Sequence, residues 1–394
     1  MISPCLIPSA NAAKSTANCP DHDRPHPNES TENMKIPADR LTALATSILT
    51  YAGGQKDAAS RVATRLVSAN LTGHDSHGVG MIPAYVDGII AGTLHPDANI
   101  DVVQDKGPFL LVDGQRGFGH IVAEQAMELA IARARTNHFA VLSLRNSFHL
   151  GRLGDWGAMA AEAGFICILY ANVQSSRPLV APFGGSDGRF VTNPYCTAIP
   201  ATDNTPMFLL DMATSKIAMG KARVAHLSGK EVPEGSLIDA QGNPTTDPSV
   251  MFDDAGGALT TFGDHKGFGL ALLGDILGGS FSGGGAYLPE REMPSSITNN
   301  MMAILIDPDV FGMAQAFGVD MDRYTAWVKA SPPAPGVDAV QLPGDPERRS
   351  LKDRTANGIF VDAGTLEQLR ETALRAGMPQ DELDTLISDT GLGA

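Results

Sequence analysis

The sequence predicts an α/β protein, because β-rich runs alternate with helical runs through most of its length. From residue 109 onward, short β-rich runs are separated by Ala-rich runs, a pattern typical of a sheet covered by helices on both faces. Before residue 109 and after residue 365, apolar residues recur at helical spacing instead. We therefore expect helices at both ends of the chain and a sheet between them.

The N-terminal third is predicted to be helical after a leader. Residues 1–33 are rich in Ser, Pro, Asn and Asp and lack the basic and apolar stretches of a signal peptide. We predict that they form a disordered leader and that the fold begins at Met34. Residues 38–53 and 55–71 each have helical spacing and end near a glycine, which predicts a helical hairpin. The turn GHDSHG at 73–78 then leads to a third predicted helix at 80–92.

The remaining elements follow in alternation. Strands are predicted at 109–114, 139–146, 166–173, 207–212 and 301–308, and helices at 122–135, 155–164 and 215–229. Residues 267–283 are almost all apolar or small, which predicts a buried helix or a subunit contact. A Pro-rich connection at 331–346 precedes an amphipathic helical tail at 365–388.

Composition argues against several classes of partner. The 29 Lys and Arg against 44 Asp and Glu give a net charge of −15, whereas nucleic-acid binding needs a basic face, so we expect no nucleic-acid partner. An anionic small substrate stays compatible, because charges beyond a Debye length of about 8–10 Å are screened. No apolar run reaches the roughly 18 residues of a membrane span. The four cysteines form no CxxC motif, and we interpret them as reduced thiols of a cytoplasmic protein: Cys5, Cys19, Cys167 and Cys196.

Standard nucleotide-binding motifs are missing. Gly117-Phe118-Gly119 follows a predicted strand but lacks the third glycine of a GxGxxG turn, and no GxxxxGK[ST] loop occurs. The residues by themselves therefore predict an α/β enzyme without a standard cofactor fingerprint.

Two histidines stand in similar surroundings. His77 and His149 each lie beside a glycine at a junction between predicted elements, where glycine leaves room for a ligand and loops carry sites. The alternative is a surface or capping role for each. His74, Asp75 and His77 could also be metal ligands, but no partner His or Cys cluster follows at ligand spacing, so we expect no metal.

A candidate anion site follows the strand predicted at 207–212. Asp211 ends this strand, and Thr214 and Ser215 are predicted to cap the next helix, whose N-terminus would suit a cofactor phosphate. A plain helix cap is the alternative. Lys266, which precedes the apolar run, is either an anion contact or a solvated lysine.

Seven short motifs in order resemble those of the malate/L-lactate dehydrogenase family, which is distinct from the Rossmann-type enzymes of the same names. They are DSHG (75–78), NSFHLG (146–151), VAPFG (180–184), TNP (192–194), DMATS (211–215), HKG (265–267) and LPG (342–344). Each is weak alone, but seven in order, spread over residues 36–390, are specific. GHDSHGVGMIPAYV and WVKASP are most similar to the bacterial hydroxycarboxylate dehydrogenase B branch.

The resemblance implies a non-Rossmann NAD(P)-binding α/β fold with a central mixed sheet and a helical domain formed by both chain ends. We place the N-terminal helical domain at 34–105 and the central cofactor- and substrate-binding domain at 106–330. The Pro-rich connection and the returning C-terminal helices occupy 331–394. The resemblance also implies NAD or NADP as cofactor and a homodimer with the active site near the subunit interface.

The family's reaction, hydride transfer between the cofactor and a 2-oxo or 2-hydroxy acid of the malate, lactate or phenylpyruvate type, implies roles for individual residues. His77 is implied to donate and accept the proton. His149 is implied to polarise the carbonyl or exchange roles with His77, and Ser76 to hold the carbonyl or carboxylate. The implied cofactor contacts are Gly151, Arg152, Asp211, Met212, Ala213, Thr214, Ser215, Lys266, Asn299, Gly344 and Asp345.

One position departs from the family pattern. Met81 stands four residues after His77, where many relatives carry an Arg that can clamp the substrate carboxylate. We expect Arg152 or Arg189 to supply this cation, with Thr192 also beside the substrate. The apolar Met81 would favour a bulkier side chain, such as that of phenylpyruvate.

Other functions stay open at this point. Some relatives reduce cyclic 2-imino acids of the piperideine-2-carboxylate type. A metallohydrolase built on His74, Asp75 and His77 is an alternative of another class. A non-catalytic binding protein would give no reason for two glycine-flanked histidines.

Overall fold

The computed structural model describes residues 35–175, 177–252, 256–291 and 296–389; the predicted leader at 1–33 lies outside them. The helices are α1 (Ala38–Tyr51), α2 (Lys56–Leu71), α3 (Ile82–Ile90), α4 (Gly119–Asn137), α5 (Leu153–Glu162), α6 (Met219–Leu227), α7 (His265–Leu273), α8 (Ala314–Lys329), α9 (Asp345–Asn357), α10 (Ala363–Arg375) and α11 (Gln380–Asp389). The strands are β1 (Lys35–Ile36), β2 (Asp101–Lys106), β3 (Phe109–Asp113), β4 (Phe139–Ser147), β5 (Ile166–Gln174), β6 (Tyr195–Ile199), β7 (Phe208–Met212), β8 (Leu237–Ile238), β9 (Pro244–Thr245), β10 (Ala258–Leu259), β11 (Thr298–Ile306) and β12 (Ile359–Phe360).

A seven-stranded mixed sheet forms the centre of the molecule, in the order β2-β3-β4-β11-β5-β6-β7. Only β3 and β4 run parallel; the other pairs in this sheet are antiparallel. Its core joins strand residues to α4 and α5, with Trp156 fully buried. The five predicted strands are confirmed, although β11 begins three residues early. β2 and β6 were not predicted, and β2 extends across the predicted domain boundary at 105/106.

A second core is helical and joins both chain ends. Apolar residues of α1, α2 and α3 pack with those of α10 and α11, and β1 pairs with β12. Phe118 and Phe148, which belong to the central part of the chain, also pack into this core. The predicted α/β fold, with a mixed sheet and a helical domain from both ends, is confirmed. Phe148 belongs to the NSFHLG motif, so this motif lies where the two cores meet.

The helix predicted at 215–229 is shorter than expected. α6 begins at Met219, and Ala218 is its cap. Residues 214–216 are extended because they pair with 260–262: Phe262 N donates to Thr214 O, and Lys216 N donates to Thr260 O. The prediction that Thr214 and Ser215 cap this helix is therefore wrong.

The apolar segment 267–283 is not a buried helix. α7 continues into a π-helix at Gly274–Ser280, and the small residues of the segment face the sheet: a Cβ on Gly274 would lie 2.9 Å from Ala171 O. The large apolar residues face outward, namely Leu272, Leu273, Ile276 and Phe281. The subunit contact is the alternative that stays open.

The remaining predictions hold with small changes. The helix predicted at 80–92 is a 3-10 turn at Val79–Met81 followed by α3. Residues 331–344 contain no helix or strand, and the tail is helical but divided into α10 and α11 by Gly377 and Pro379. Within the described part of the chain, no helix is both long and apolar enough to cross a bilayer.

Candidate active site

The side chain of Asn70 fixes the turn that carries His77. Asn70 Nδ2 donates to Asp75 Oδ1 at 2.7 Å, and Asn70 Oδ1 accepts from Val79 N at 2.9 Å. A Cβ on Gly78 would lie 2.2 Å from Asn70 Oδ1, so only glycine allows this approach. From α9, Arg354 donates to Asp75 Oδ1 at 2.6 Å and to Asp75 Oδ2 at 3.0 Å. The turn is thus held from both ends of the chain.

The loop that carries His149 packs against the first turn of α4. A Cβ on Gly119 would lie 2.0 Å from His149 O. Gly151 has a φ of +73°, and a Cβ there would lie 2.2 Å from His120 Nε2. Asn299, on β11, accepts from Leu150 N at 2.9 Å through its Oδ1. The loop therefore depends on two glycines for its position.

The structure brings the two predicted histidines together. The His77 and His149 rings are stacked with centroids 5.5 Å apart and an interplanar angle of 17°. This separation is within the range of about 4.5–7 Å for directly packed rings, so a substrate would contact ring edges and not lie between the faces. Ser76 Oγ lies 3.1 Å from His77 Nδ1. The first turn of α6 lies close by, since a Cβ on Gly220 would be 3.2 Å from Ser76 Cβ.

The glycines beside these histidines do not leave room for a ligand, contrary to the sequence-based interpretation. Gly78 makes room for Asn70, and Gly151 makes room for His120. Asn70 and His120 are among the site residues that sequence reasoning missed. The only available signal was the GFGH run, in which His120 follows a glycine close to a strand.

Tyr85 was also missed and lies among the imidazoles. Its hydroxyl oxygen is 2.9 Å from His149 Nδ1 and 3.3 Å from His120 Nδ1. The Tyr85 side chain is fully buried, and its ring packs edge-on against Phe148 at 5.1 Å. Tyr85 and His120 come from α3 and α4, so no local pattern in the sequence links them to His149.

Burial keeps the three imidazoles neutral. Desolvation, reinforced by neighbouring cationic groups, lowers the pKa of His77 from 6.5 to about 4. Desolvation likewise lowers the pKa of His120 to about 4, and it holds the pKa of His149 well below 6.5. At neutral pH each ring then offers one N–H and one lone pair. A neutral ring has a lone pair that can accept a proton, but burial makes it a weaker base than a solvated imidazole, and an anion bound nearby would raise its pKa.

Acid is expected to destabilise the fold through these histidines. A histidine with a pKa of 6.5 when unfolded and about 4 when folded contributes stability above pH 6.5 and loses it as the pH falls towards 4. At about 1.4 kcal/mol per pKa unit, the contribution of His120 to the free energy of unfolding falls by about 3 kcal/mol in all. About 2 kcal/mol of this is lost by pH 5. Urea unfolding at pH 7.5 and pH 5 should show a smaller loss for His120→Asn than for the wild type. Equal losses in both proteins would contradict this assignment.

A buried ion pair lies beside the histidines. Arg152 and Asp155 are 7% and 6% exposed, and Arg152 Nε donates to Asp155 Oδ1 at 2.8 Å. Asp211 Oδ2 accepts from Gly154 N at 2.8 Å, and burial raises the pKa of this carboxyl. Glu347 Oε1 lies 3.2 Å from His74 Nε2, whereas its buried Oε2 has no hydrogen-bond partner among the described residues. Buried carboxylate oxygens are nearly always hydrogen-bonded in proteins, so this atom has room for a donor from a water molecule or a ligand.

The predicted Gly344-Asp345 turn lies against the edge of the sheet. Pro343 O accepts from Leu209 N at 3.3 Å, which places this turn beside β7, the strand that contains Asp211. Gly344 has a φ of +95°. Hydrogen bonds from Leu342 N, Arg348 and Lys329 lower the pKa of Asp345 to about 2, against the opposing effect of burial. The end of the Pro-rich connection thus lies beside the sheet.

The other predicted cofactor contacts lie at the end of β7 and after it, on α7 and on β11. Met212 and Ala213 are half-buried. Thr214 Oγ1 donates to the carbonyl oxygens of Thr192 and Asn193 at 3.1 and 3.0 Å, and Ser215 Oγ donates to Ile217 O at 2.8 Å. Lys266 is exposed at the start of α7. The side-chain amide of Asn299 is occupied by backbone groups.

The predicted substrate residues are less closely grouped. Arg189 is paired with Asp187 at 2.7 Å on the surface, and its side chain is 62% exposed. Met81 packs against the helical core, and Thr192 is half-buried. Arg152 lies close enough to His77 to affect its pKa.

The three residues considered as metal ligands have separate partners. His74 contacts Glu347, Asp75 is bound by Asn70 and Arg354, and His77 stacks on His149. Over the residues that the structure describes, no group of three or more His, Cys, Asp or Glu side chains is arranged to hold a metal ion.

Comparison with known proteins places this fold among the oxidoreductases. The chain belongs to the malate/L-lactate dehydrogenase family, whose model matches residues 36–370, so the resemblance seen in the motifs is confirmed. Hydroxycarboxylate dehydrogenase B of Escherichia coli K12 is 41% identical over 351 residues, covering 89% of this chain and 96% of that protein.

Two solved structures extend the comparison. Malate dehydrogenase from Pyrococcus horikoshii superposes with a TM-score of 0.77 at 34% identity, covering 90% of this chain and 99% of the other. Delta1-piperideine-2-carboxylate reductase from Pseudomonas syringae superposes with a TM-score of 0.73 at 28% identity, covering 86% of this chain and 99% of the other.

Proposed function

We propose that the protein transfers a hydride between NAD or NADP and a 2-oxo or 2-hydroxy carboxylic acid. The observation that carries this proposal is the contact of His77 with His149, two neutral imidazoles that meet where the two cores join. The protein is a dehydrogenase-family enzyme, and its relatives include hydroxycarboxylate, lactate and malate dehydrogenases.

The proposed chemistry divides between the two rings. In oxidation, the neutral His77 accepts the hydroxyl proton of the substrate; in reduction, the protonated His77 returns it to the oxygen that gains negative charge. His149 donates a hydrogen bond to the same oxygen, and Ser76, which contacts His77 Nδ1, holds the carbonyl or carboxylate group. A bound nicotinamide ring supplies or accepts the hydride.

We propose that the dinucleotide lies along residues 211–215, with Gly151, Arg152, Lys266, Asn299 and the Gly344-Asp345 turn as its further contacts. Asp211 and Glu347 both lie close enough to Arg152 to raise its pKa. The buried Glu347 Oε2, which has no partner in the described part of the chain, supports a ligand that brings hydrogen-bond donors, such as the hydroxyl groups of a ribose.

A panel assay tests this function. NADH and NADPH oxidation should be measured with pyruvate, phenylpyruvate and oxaloacetate, alongside piperideine-2-carboxylate. We expect turnover of at least one 2-oxo acid with one of the two cofactors. Turnover of the cyclic imino acid alone would instead support an imine reductase, the second candidate, which the similarity to the Pseudomonas reductase favours.

Arg152 is the cation that we propose for the substrate carboxylate, in place of the arginine that Met81 replaces. Its bonds to Asp155 use Nε and Nη2, and among the described residues no hydrogen bond of Nη1 is seen, so this atom can contact a ligand. We expect Arg152→Ala to raise KM for 2-oxo acids roughly 10-fold or more, the effect of losing an interaction of about 1.5 kcal/mol or more. Arg189→Ala, which removes an exposed arginine, is the matched control and should leave KM unchanged. The opposite result would assign the role to Arg189.

We also propose a cytoplasmic homodimer. The buried thiols of Cys167 and Cys196 are free, which supports a reducing compartment. Leu272, Ile276 and Phe281 are 38%, 52% and 62% exposed on one face of the α7 and π-helix segment, and clustered exposed apolar residues are typical of interfaces. Light scattering that gave the mass of a single chain would contradict the dimer.

A further inference from the structure

The hydroxyl group of Tyr85 lies between two buried imidazoles. It is 2.9 Å from His149 Nδ1, 3.3 Å from His120 Nδ1 and 3.3 Å from His149 O. Burial raises the pKa of Tyr85 well above 10, so the hydroxyl keeps its proton at neutral pH. It therefore has one hydrogen to donate and two lone pairs to accept with.

His120 determines the direction of these hydrogen bonds. The neutral ring has one N–H, and its Nδ1 faces the Tyr85 oxygen, which can accept. Its Nε2 faces Gly151, where a Cβ would lie at 2.2 Å, and no hydrogen bond from this atom is seen in the described part of the chain. A proton on Nε2 would thus have no acceptor on the described chain, whereas a proton on Nδ1 can be donated to the Tyr85 oxygen. The proton therefore resides on Nδ1, and His120 donates to Tyr85.

The hydrogen of Tyr85 is then free for His149. The bond to His149 Nδ1 is the shorter of the two imidazole contacts, so Tyr85 donates and His149 Nδ1 accepts. We propose that Tyr85, itself oriented by His120, is a positioning residue that holds His149 in the tautomer whose Nε2 carries the proton. This inference rests on the proposed function only for its catalytic consequence.

The catalytic consequence is that His149 and His77 have different roles. In the Nε2–H tautomer, His149 presents a donor to the substrate oxygen and has no lone pair for a proton there. His77 has no such constraint, since the one hydrogen-bond partner of its Nδ1 among the described residues is the rotatable hydroxyl of Ser76. A neutral imidazole donor polarises a carbonyl group without giving up its proton, and this leaves the proton transfer to His77.

The charged and titratable groups around His120 and His149 are consistent with two neutral rings joined by Tyr85. His149 faces His77 and His120, which both disfavour a positive charge on it. His120 faces Asp155 and Glu124, which favour the charge, and Arg65 and His77, which oppose it. Neither ring is charged at neutral pH. The hydrogen bonds from His120 through Tyr85 therefore set the tautomer of His149 and do not transfer a charge to it.

Nitrogen NMR of the full chain, labelled with ¹⁵N-histidine, tests the tautomer directly and without any substrate. We expect His120 in the Nδ1–H form and His149 in the Nε2–H form, with the signals assigned from His120→Asn and His149→Asn. In Tyr85→Phe, His149 should become a mixture of tautomers. A wild-type His149 in the Nδ1–H form, with Tyr85 donating to His149 O, would overturn the proposal, as would an unchanged tautomer in Tyr85→Phe.

Kinetics test its consequence. Tyr85→Phe should lower kcat for 2-oxo acids roughly 10- to 100-fold, because a reacting group that is no longer held in place loses rate on this order, with little change in KM or NADH affinity. Tyr51→Phe is the matched control, because it removes an exposed tyrosine hydroxyl that bonds Glu382 away from the histidines. Wild-type kcat in Tyr85→Phe would overturn the catalytic role.

Two variants of His120 separate hydrogen bonding from packing. His120→Asn keeps an N–H donor near the place of Nδ1 and should retain most of kcat, whereas His120→Leu removes the donor and should behave like Tyr85→Phe. Equal losses in both variants would mean that His120 acts only by packing. If the wild type turns over no 2-oxo acid, the proposed function fails, while the NMR result still decides the tautomer.

Discussion

Replacing His77 with alanine is expected to lower kcat/KM for 2-oxo acid reduction by roughly 10²- to 10⁴-fold, the usual contribution of a general acid or base. The ring is half-buried at the edge of the site, and its turn is fixed by Asn70 and Arg354. The substitution should therefore remove the proton donor without moving the turn. Steady-state kinetics measures kcat/KM, and NADH fluorescence titration measures the affinity for NADH.

Two comparisons make this prediction decisive. His138→Ala removes a surface histidine that pairs with Asp307 and should leave both kinetics and NADH affinity unchanged. Ser76→Ala removes the hydroxyl next to His77 Nδ1 and should have an intermediate effect. Activity of His77→Ala within threefold of the wild type would show that another group transfers the proton.

Gly119→Ala is expected to have a large effect on both stability and activity. The new Cβ would lie 2.0 Å from His149 O and 2.4 Å from His149 C, both backbone atoms, so the loop or α4 has to move. We expect the free energy of unfolding to fall by about 3 kcal/mol, as for overpacked cores. Displacing His149 by about 1 Å should also lower kcat roughly 10²-fold.

Gly318→Ala is the matched control for this substitution. Gly318 lies inside α8, and among the described residues a Cβ there would meet only Thr202 Cγ2 at 3.7 Å, an ordinary van der Waals contact. Because alanine is favoured over glycine in helices by about 1 kcal/mol, this variant should be as stable as the wild type or more so. Urea unfolding and kcat of both variants check the prediction. Wild-type stability in Gly119→Ala would show that the close packing of α4 on the His149 loop is not needed.

The strands and the terminal helices were predictable because their apolar periodicity is local. Strand β2 was not, since its side chains are all exposed and its sequence, DVVQDK, has no apolar alternation. The start of α6 was misplaced because 214–216 pair with 260–262, a partner about 45 positions away. Tertiary pairing overrides local helix propensity in such segments.

The candidate site was predictable only in part, for the same reason. Motifs identified His77, His149 and Asp211, because each motif is continuous in sequence. Tyr85 and His120 act on His149 across sequence separations that no short pattern encodes: Tyr85 lies 64 positions away. The glycines were noticed but misread, since the space next to them is filled by the protein's own side chains.

The clamp between Arg354 and Asp75 joins positions 279 residues apart. During synthesis on the ribosome, the loop bearing His77 emerges long before the segment that secures it. A nascent chain that ends before α9 has the imidazole but lacks the guanidinium that anchors its loop. The candidate site therefore gains this anchor only after α9 has been synthesised.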